Sequence, residues 1–104
     1  MIDFEWDPEK ARVNRLRHRI SFGEAATVLR DPLGITAFDP DHSQSEDRYL
    51  TIGVSDRGRA LIVAHTDRGS TIRIISARLL TRAERGQYEE EIRKRQKRRP
   101  PGGI

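Results

Sequence analysis

The chain has 104 residues, a mass of 12.0 kDa and a formal net charge of +4, a length that accommodates one domain with a small core. It contains no cysteine, which excludes disulfide scaffolds, thiolate zinc sites and cysteine nucleophiles. No apolar run approaches the length of a membrane span, and the N-terminal residues lack the pattern of a secretory signal, so we expect a soluble cytoplasmic protein.

The first predicted elements are a short strand and a helix. Residues 2–6 alternate weakly between apolar and polar side chains, as a strand does. Asp7 followed by Pro8 is typical of a helix start, because aspartate caps the first turn and proline loses nothing there. We expect this helix to end near residues 17–18. Its apolar stripe is predicted to consist of Val13, Leu16 and Ile20.

A second helix start follows at once. Ser21 and Glu24 have the spacing of a capping box, in which each side chain satisfies a backbone N–H of the first turn. The Asp31-Pro32 pair is expected to end this helix. Its buried face is predicted from the helical spacing of Phe22, Ala25, Ala26 and Leu29.

The middle of the chain changes to the period of β-strands. Residues 34–38 predict one strand, and a polar loop covers residues 39–47. Two short loops with glycine, residues 55–58 and 67–70, separate the segments that follow, so we predict an antiparallel meander. Its three strands are residues 48–54, 59–66 and 71–79.

The last predicted element is a polar helix over residues 82–95, with Thr81 and Glu84 as its capping box. Residues 93–99 carry six positive charges, whereas the rest of the chain is nearly balanced. We expect one domain over residues 1–95 and a disordered basic tail over residues 96–104. The predicted fold is α+β, of order β-α-α-β-β-β-β-α, with an antiparallel meander sheet and helices packed on one face.

Polar side chains interrupt the three strands of the meander, namely Arg48, His65, Arg73, Ser76 and Arg78. A charged or polar side chain within a strand usually lies on the solvent-exposed face, and this is the ordinary expectation for each of them taken alone. Together they predict an exposed face with guanidinium groups and an imidazole. A four-residue loop at residues 67–70 places His65 on one face with Arg78, whereas a three-residue loop places it with Arg73.

Such a face suits the cleavage of RNA without a metal ion. The 2′-hydroxyl of RNA attacks the adjacent phosphorus when a base takes its proton, cations stabilise the phosphorane and an acid protonates the leaving oxygen. His65 or Glu46 is a candidate base or acid, and Lys10 is expected to reach the same face. The candidate stabilising cations are Arg48, Arg73 and Arg78.

Neither a metal nor a cofactor is expected. The sequence lacks the motifs of phosphate loops, dinucleotide-binding folds, zinc proteases and serine hydrolases. Asp39, Asp41 and His42 crowd one loop and offer oxygen and nitrogen donors, but a solvated turn is the better interpretation of that loop.

Three segments carry a family resemblance: WDPEK at the start of the first helix, HRISF leading into the second, and IISAR followed by the R-x-E-R-x-x-Y of the last helix. Over residues 3–90 the chain resembles the BrnT family of toxins from bacterial type II toxin–antitoxin systems. The resemblance implies a fold like that of RelE ribonucleases and metal-independent RNA cleavage that halts translation. It also implies neutralisation by a BrnA-like antitoxin with a ribbon-helix-helix domain, whose complex binds operator DNA.

The resemblance also suggests roles for individual residues. Arg48 and Arg78 have the strongest claim to catalysis, because neither a cap nor a core role accounts for a guanidinium there. His65 and Arg73 are added as catalytic candidates from the chemistry alone. The matching positions assigned to RNA binding are Lys10, Arg85 and Tyr88. The matches interpreted as structural are Trp6 as a core anchor, Asp7 as a cap and Glu84 as a capping-box partner.

Two alternatives to a nuclease stay open at this point. The first is a non-catalytic module that binds nucleic acid through the basic tail and protein through its sheet, since clustered cations give affinity without sequence specificity. The second is a helper protein that folds only with a partner, with the thin apolar face of the last helix as its interface. That face consists of Ala83, Tyr88 and Ile92.

Overall fold

A computed structural model describes residues 2–97, which form a five-stranded sheet, three α-helices and a short 3-10 helix. The helices are α1 (Pro8–His18), α2 (Phe22–Val28) and α3 (Arg82–Lys97), and the 3-10 helix covers Pro40–His42. The strands are β1 (Asp3–Glu5), β2 (Ile35–Phe38), β3 (Tyr49–Val54), β4 (Ala60–Arg68) and β5 (Thr71–Leu79).

The sheet is mixed, with strand order β1-β5-β4-β3-β2. Strands β2 to β5 each pair antiparallel with their neighbour in the chain, but β1 pairs parallel with β5. The expectation of an antiparallel sheet is therefore wrong for the first strand. The pairing sets Phe4 beside Ile72, and Phe4 packs against the core from that edge. A three-residue strand gives no sequence signal of the edge that it joins.

The β4–β5 hairpin differs from both predicted registers. Asp67 and Arg68 extend β4, which leaves Gly69 and Ser70 as the turn, with Gly69 at a positive φ of 65°. A bulge between Ala64 and His65 then shifts the pairing by one residue. Because side chains alternate along a strand, this register places His65 on the face opposite to Arg73 and Arg78, so the shared face predicted for them is wrong.

We call the face of the sheet that α2 covers the inner face. The buried core consists of side chains from the segment between α1 and α2, from α2 and from this face: Ile20, Phe22, Ala25, Ala26, Val28, Leu61, Val63, Ile74 and Ala77. Trp6 contributes only an edge contact, with its ring centroid 6.0 Å from that of Phe22, and it is 37% exposed. It therefore flanks the core rather than anchoring it.

Helix α1 does not bury its predicted apolar stripe. Val13 is 37% exposed and Leu16 is 68% exposed, whereas Ile20 beyond the helix is fully buried. The buried residue of α1 is Asn14, whose side chain donates to the carbonyl of Ala77 at 2.9 Å and accepts from its N–H at 3.1 Å. Helix α1 thus closes the free edge of β5 through hydrogen bonds, which turns Val13 and Leu16 away from the core while Ala11 still packs against it.

Helix α3 starts with the predicted capping box, since Thr81 N donates to Glu84 Oε1 at 2.8 Å and Glu84 N donates to Thr81 Oγ1 at 3.2 Å. The helix continues to Lys97, two residues beyond the predicted boundary. The remainder of the predicted disordered tail, residues 98–104, lies outside the described residues. Within residues 2–97, no helix combines the length and the apolar character needed to cross a bilayer.

Candidate functional site

We call the other side of the sheet the outer face. This face carries Arg73, the cross-strand partner of Thr66, and Arg78, the cross-strand partner of Ile62. Arg48 directly precedes β3, and the alternation of side chains along that strand places it on the same face. The three arginines predicted to act together therefore do lie on one face. Glu84 at the start of α3 binds Arg78, so α3 begins beside this face, whereas α2 packs on the inner one.

A cleft of about 490 Å³ opens on the outer face. Its floor includes the apolar side chains of Leu50 and Ile62, and the end of α1 and the loop before β3 contribute to its walls. The charged, titratable and hydroxyl side chains that line it are those of Arg17, His18, Asp39, His42, Arg48, Ser76 and Arg78. Three guanidinium groups and two imidazoles therefore surround one space, a combination suited to an anionic ligand.

Arg48 is fixed by its backbone and not by its side chain. Its carbonyl accepts from Asp39 N at 2.8 Å, and its N–H donates to Ser43 Oγ at 2.9 Å. Its guanidinium forms no ion pair within residues 2–97, and its buried Nε has no hydrogen-bond partner there. The buried Oγ1 of Thr66 likewise has none. An unmade buried bond costs about 1–3 kcal/mol, so Arg48 gains by donating to a bound anion.

Arg78 is partly committed to a carboxylate. Its Nη1 and Nη2 donate to the two oxygens of Glu84 at 2.8 and 3.0 Å, and Nη1 also donates to the carbonyl of Leu79 at 3.1 Å. The guanidinium of Arg78 is the main cause that lowers the pKa of Glu84 to about 2. The side chain of Arg78 is still 41% exposed and faces the cleft. It contributes positive charge to the cleft while holding the start of α3.

Arg73 lies on the outer face but does not line the cleft, and its Nη1 is 3.7 Å from Glu5 Oε1. Nearby, Arg68 donates to both oxygens of Glu46 at 2.8 and 3.1 Å. The hydrogen bond from Arg68 lowers the pKa of Glu46. Glu46 is therefore an ionised partner that ties the loop to β4, which argues against its predicted role as a base.

His65 is enclosed on the inner face and is 3% exposed. Its Nε2 lies 2.8 Å from Thr51 Oγ1, its Nδ1 lies 3.0 Å from Asp67 Oδ1, and its ring stacks on Tyr49. Burial lowers the pKa of His65, against the opposing effect of the Asp67 carboxylate. The sheet separates this imidazole from the cleft, so it stands apart from the arginines with which the sequence grouped it.

The imidazoles that do line the cleft are His18, from the end of α1, and His42, from the 3-10 helix. Asp39 Oδ2 lies 2.8 Å from His42 Nδ1, and Asp39 is buried whereas the His42 side chain is 62% exposed. From the sequence, Asp39 and His42 are assigned to a solvated loop. The available signal was the Asp39-x-x-His42 spacing, which one helical turn converts into a carboxylate–imidazole pair.

The loop does not form a metal cluster. Throughout the described part of the chain, no group of three or more histidine, cysteine, aspartate or glutamate side chains is placed to hold a metal ion. Asp39 instead pairs with His42, and Asp41 is exposed on the 3-10 helix. The groups available for chemistry in the cleft are therefore imidazoles, guanidinium groups, the Ser76 hydroxyl and the Asp39 carboxylate.

The three residues predicted to bind RNA have different surroundings. Lys10 is exposed and lines a groove that adjoins the cleft at His18. Arg85 is exposed on the first turns of α3. Tyr88 is instead the buried residue of α3, and burial together with the charge of Asp31 raises its pKa. Of the three, Lys10 is the one connected to the cleft.

Comparisons with known proteins bear on this site. Residues 6–84, about three quarters of the chain, match the family model described as the ribonuclease toxin BrnT of type II toxin–antitoxin systems. The crystal structure of the ribonuclease toxin BrnT from Brucella abortus superposes with a TM-score of 0.58 at 20% sequence identity, covering 79% of this chain and 100% of that one. At this identity the superposition concerns the fold alone. None of the curated proteins matches the chain.

Proposed function

The chain belongs to the BrnT family of ribonuclease toxins of type II toxin–antitoxin systems, and on that premise we propose that it cuts RNA in the outer-face cleft without a metal ion and thereby halts translation. The observation that carries this proposal is the position of Arg48. Its guanidinium has no ion-pair partner within residues 2–97, and it lies in one cleft with Arg78 and the Asp39–His42 pair. An unpaired guanidinium beside an oriented imidazole matches the needs of a reacting phosphodiester.

In the proposed reaction the 2′-oxygen of the RNA attacks the adjacent phosphorus. An O2′–P bond forms and the P–O5′ bond breaks, which leaves a 2′,3′-cyclic phosphate on one product and a 5′-hydroxyl on the other. One protein group takes the proton from the 2′-hydroxyl, and another gives a proton to O5′. Arg48 and Arg78 stabilise the charge that builds up on the phosphorane oxygens.

His42 is the base that this geometry favours. Asp39 accepts a hydrogen bond from Nδ1 of His42 and so leaves the lone pair of the neutral ring on Nε2, free to take a proton. His18 is the other imidazole of the cleft and is assigned the role of acid at O5′. His65 is assigned no proton transfer in this reaction, because it is enclosed between Thr51 and Asp67 on the inner face.

The remaining parts of the proposal concern the surroundings of the reaction. Membership of a type II system implies a protein antitoxin and an RNA target. We assign the antitoxin to the BrnA-like class with a ribbon-helix-helix domain, whose complex with the toxin binds operator DNA. We also assign the fold to the RelE-like class and the site of action to the cytoplasm, where translation takes place.

Analysis of the RNA products tests this function. The purified chain is incubated with labelled RNA in excess EDTA, and the ends of the products are identified. Cleavage to 2′,3′-cyclic phosphate and 5′-hydroxyl ends supports the proposal. Cleavage that needs added Mg²⁺, or products with 5′-phosphate ends, contradicts it, because both indicate attack by a metal-activated water.

A growth assay tests the toxin role. Induction of the chain in bacteria is expected to arrest growth, and co-expression of a ribbon-helix-helix protein encoded beside its gene is expected to restore growth.

The alternative of a non-catalytic binding module makes a different prediction for the RNA assay. It predicts salt-sensitive binding of RNA and no cleavage product, either in EDTA or with added Mg²⁺.

A further inference from the structure

A second groove, of about 250 Å³, runs between α1 and the bulged part of β5. It shares Arg17, His18 and Ser76 with the cleft, so the two spaces are continuous. Beyond that junction it is lined by Glu9, Lys10, Val13 and Asn14 of α1 and by Ile75 of β5. Lys10 and His18 are eight residues apart on one helix, which separates them by about 12 Å along its axis.

The groove exists because β5 changes partners along its edge. Strand β1 pairs only with residues 71–73 of β5, and Asn14 takes over the hydrogen bonds of Ala77. Ile75, between these two supports, is the extra residue of the bulge and has no cross-strand partner in the register. Helix α1 therefore spans the edge at this point with Val13 facing the groove and not the core.

The lining combines cations with an apolar surface. Lys10 is exposed and Arg17 is exposed, whereas Val13 and Ile75 offer partly exposed apolar side chains outside the core. Glu9, the acidic residue of the groove, is bound by Arg12, whose Nε donates to it at 3.1 Å. The charge left facing the groove is therefore positive, and the surface beneath it is apolar.

We infer that this groove is a nucleotide subsite, in which Lys10 and Arg17 hold a phosphate next to the scissile one and the base of that nucleotide rests on Val13 and Ile75. The inference rests on the proposed function, since it extends the RNA track from the cleft along α1. Sites for single-stranded nucleic acid combine a positively charged groove along the backbone with side chains, commonly aromatic, that carry the bases, and Val13 and Ile75 offer an aliphatic surface in that place. In this subsite the bulge leaves Ile75 without a cross-strand partner and presents its side chain to the base of the nucleotide.

Binding of an RNA that cannot be cleaved tests the subsite separately from the chemistry. The probe is a fluorescein-labelled ten-residue RNA with 2′-O-methyl groups throughout, and its anisotropy is measured with the full chain in EDTA. Val13→Asp is expected to weaken binding about tenfold and Ile75→Thr about threefold, the second without any change of charge. Leu16→Asp adds the same charge to an exposed position of α1 outside the groove and is the matched control, expected to stay within about twofold of the wild type.

The outcomes separate the subsite from the proposed function. Loss of affinity in Val13→Asp and Ile75→Thr, but not in Leu16→Asp, supports the subsite even if the wild type cleaves no ordinary RNA, which would contradict the function alone. Equal affinity of all four proteins, or no binding by the wild type, overturns the subsite. A loss shared by Leu16→Asp also overturns it, because the effect would then be one of general charge. Melting temperatures of the variants verify that each remains folded.

Discussion

Asp39 and His42 form a carboxylate–imidazole pair at the mouth of the cleft, with 2.8 Å between Asp39 Oδ2 and His42 Nδ1. The pair is tied directly to Arg48, because the N–H of Asp39 donates to the carbonyl of Arg48 at 2.8 Å. The loop between β2 and β3 thus orients an imidazole and positions a guanidinium with one set of contacts. This coupling places the base and the cation of the proposed reaction in one structural unit.

Replacing Asp39 with asparagine tests the orientation of this imidazole. An asparagine amide donates as well as accepts, so Asp39→Asn permits the tautomer of His42 with its lone pair on Nδ1. We expect the cleavage rate constant to fall by about 10²–10⁴-fold, the range that a general base contributes. The measurement is kcat on labelled RNA together with the melting temperature. An unchanged kcat would show that Asp39 does not act through His42.

His65 predicts how stability depends on pH. Burial lowers its pKa below the ordinary value of 6.5, so the unfolded chain binds this proton more readily than the folded one. Above about pH 6.5 His65 does not change the free energy of unfolding. Below that value protonation of His65 favours the unfolded chain, so stability falls as the pH drops. Melting temperatures at pH 7.5 and 5.5 are expected to decrease with acidification. His65→Gln, which keeps a polar group beside Thr51, should show a smaller decrease, and an equal decrease in both proteins would contradict the assignment.

Glu84 predicts a second, more acidic transition. Its folded pKa of about 2 lies below the ordinary value of 4.5, so its stabilisation is complete above pH 4.5 and is lost as the pH falls toward 2. Glu84→Gln removes the ion pair with Arg78 and weakens the cap of α3, whose loss typically costs about 1 kcal/mol. We expect a lower melting temperature at pH 6 and a smaller loss between pH 6 and pH 3. Glu89→Gln, on the exposed side of α3, should melt like the wild type.

Two glycines provide a matched test of packing. A Cβ at Gly53 would lie 3.0 Å from Asp31 Oδ2 and 3.2 Å from Val28 Cγ1, whereas a Cβ at Gly86 would meet no atom within 4 Å. Gly53→Ala is therefore expected to destabilise the protein by about 1–3 kcal/mol. Gly86→Ala should stabilise α3 by up to about 1 kcal/mol. Urea denaturation measures both, and a neutral Gly53→Ala would show that α2 does not press on β3.

The local parts of the fold were predictable because their causes lie within a few residues. Asp7 caps α1 by accepting from Glu9 N at 2.8 Å, and Ser21 caps α2 by accepting from Glu24 N at 3.0 Å, as the sequence predicts. The rest depends on distant contacts. Asn14 is buried because it bonds to Ala77, 63 residues away, and no periodicity within α1 indicates that contact.

The site was predictable only in part for the same reason. The polar side chains within the strands were enough to propose an exposed face with Arg48, Arg73 and Arg78, but regular alternation separates Arg73 from Arg78, and the bulge at Ile75 brings them onto one face. The bulge at Ile75 of β5 also moved Arg78 away from the face of His65, and a one-residue slip of this kind leaves no mark in the pattern of apolar residues. His42 entered the site through the fold of a loop that the sequence indicated only as polar.

The cleavage rate of Arg48→Ala in excess EDTA tests the central claim most directly, with Arg57→Ala in the exposed turn between β3 and β4 as its control. If the guanidinium of Arg48 stabilises the reacting phosphate, kcat should fall by about 10²–10³-fold, while Arg57→Ala cleaves like the wild type and both variants keep their melting temperatures. Cleavage by Arg48→Ala at the wild-type rate would contradict the account, because the reaction would then take place away from this cleft.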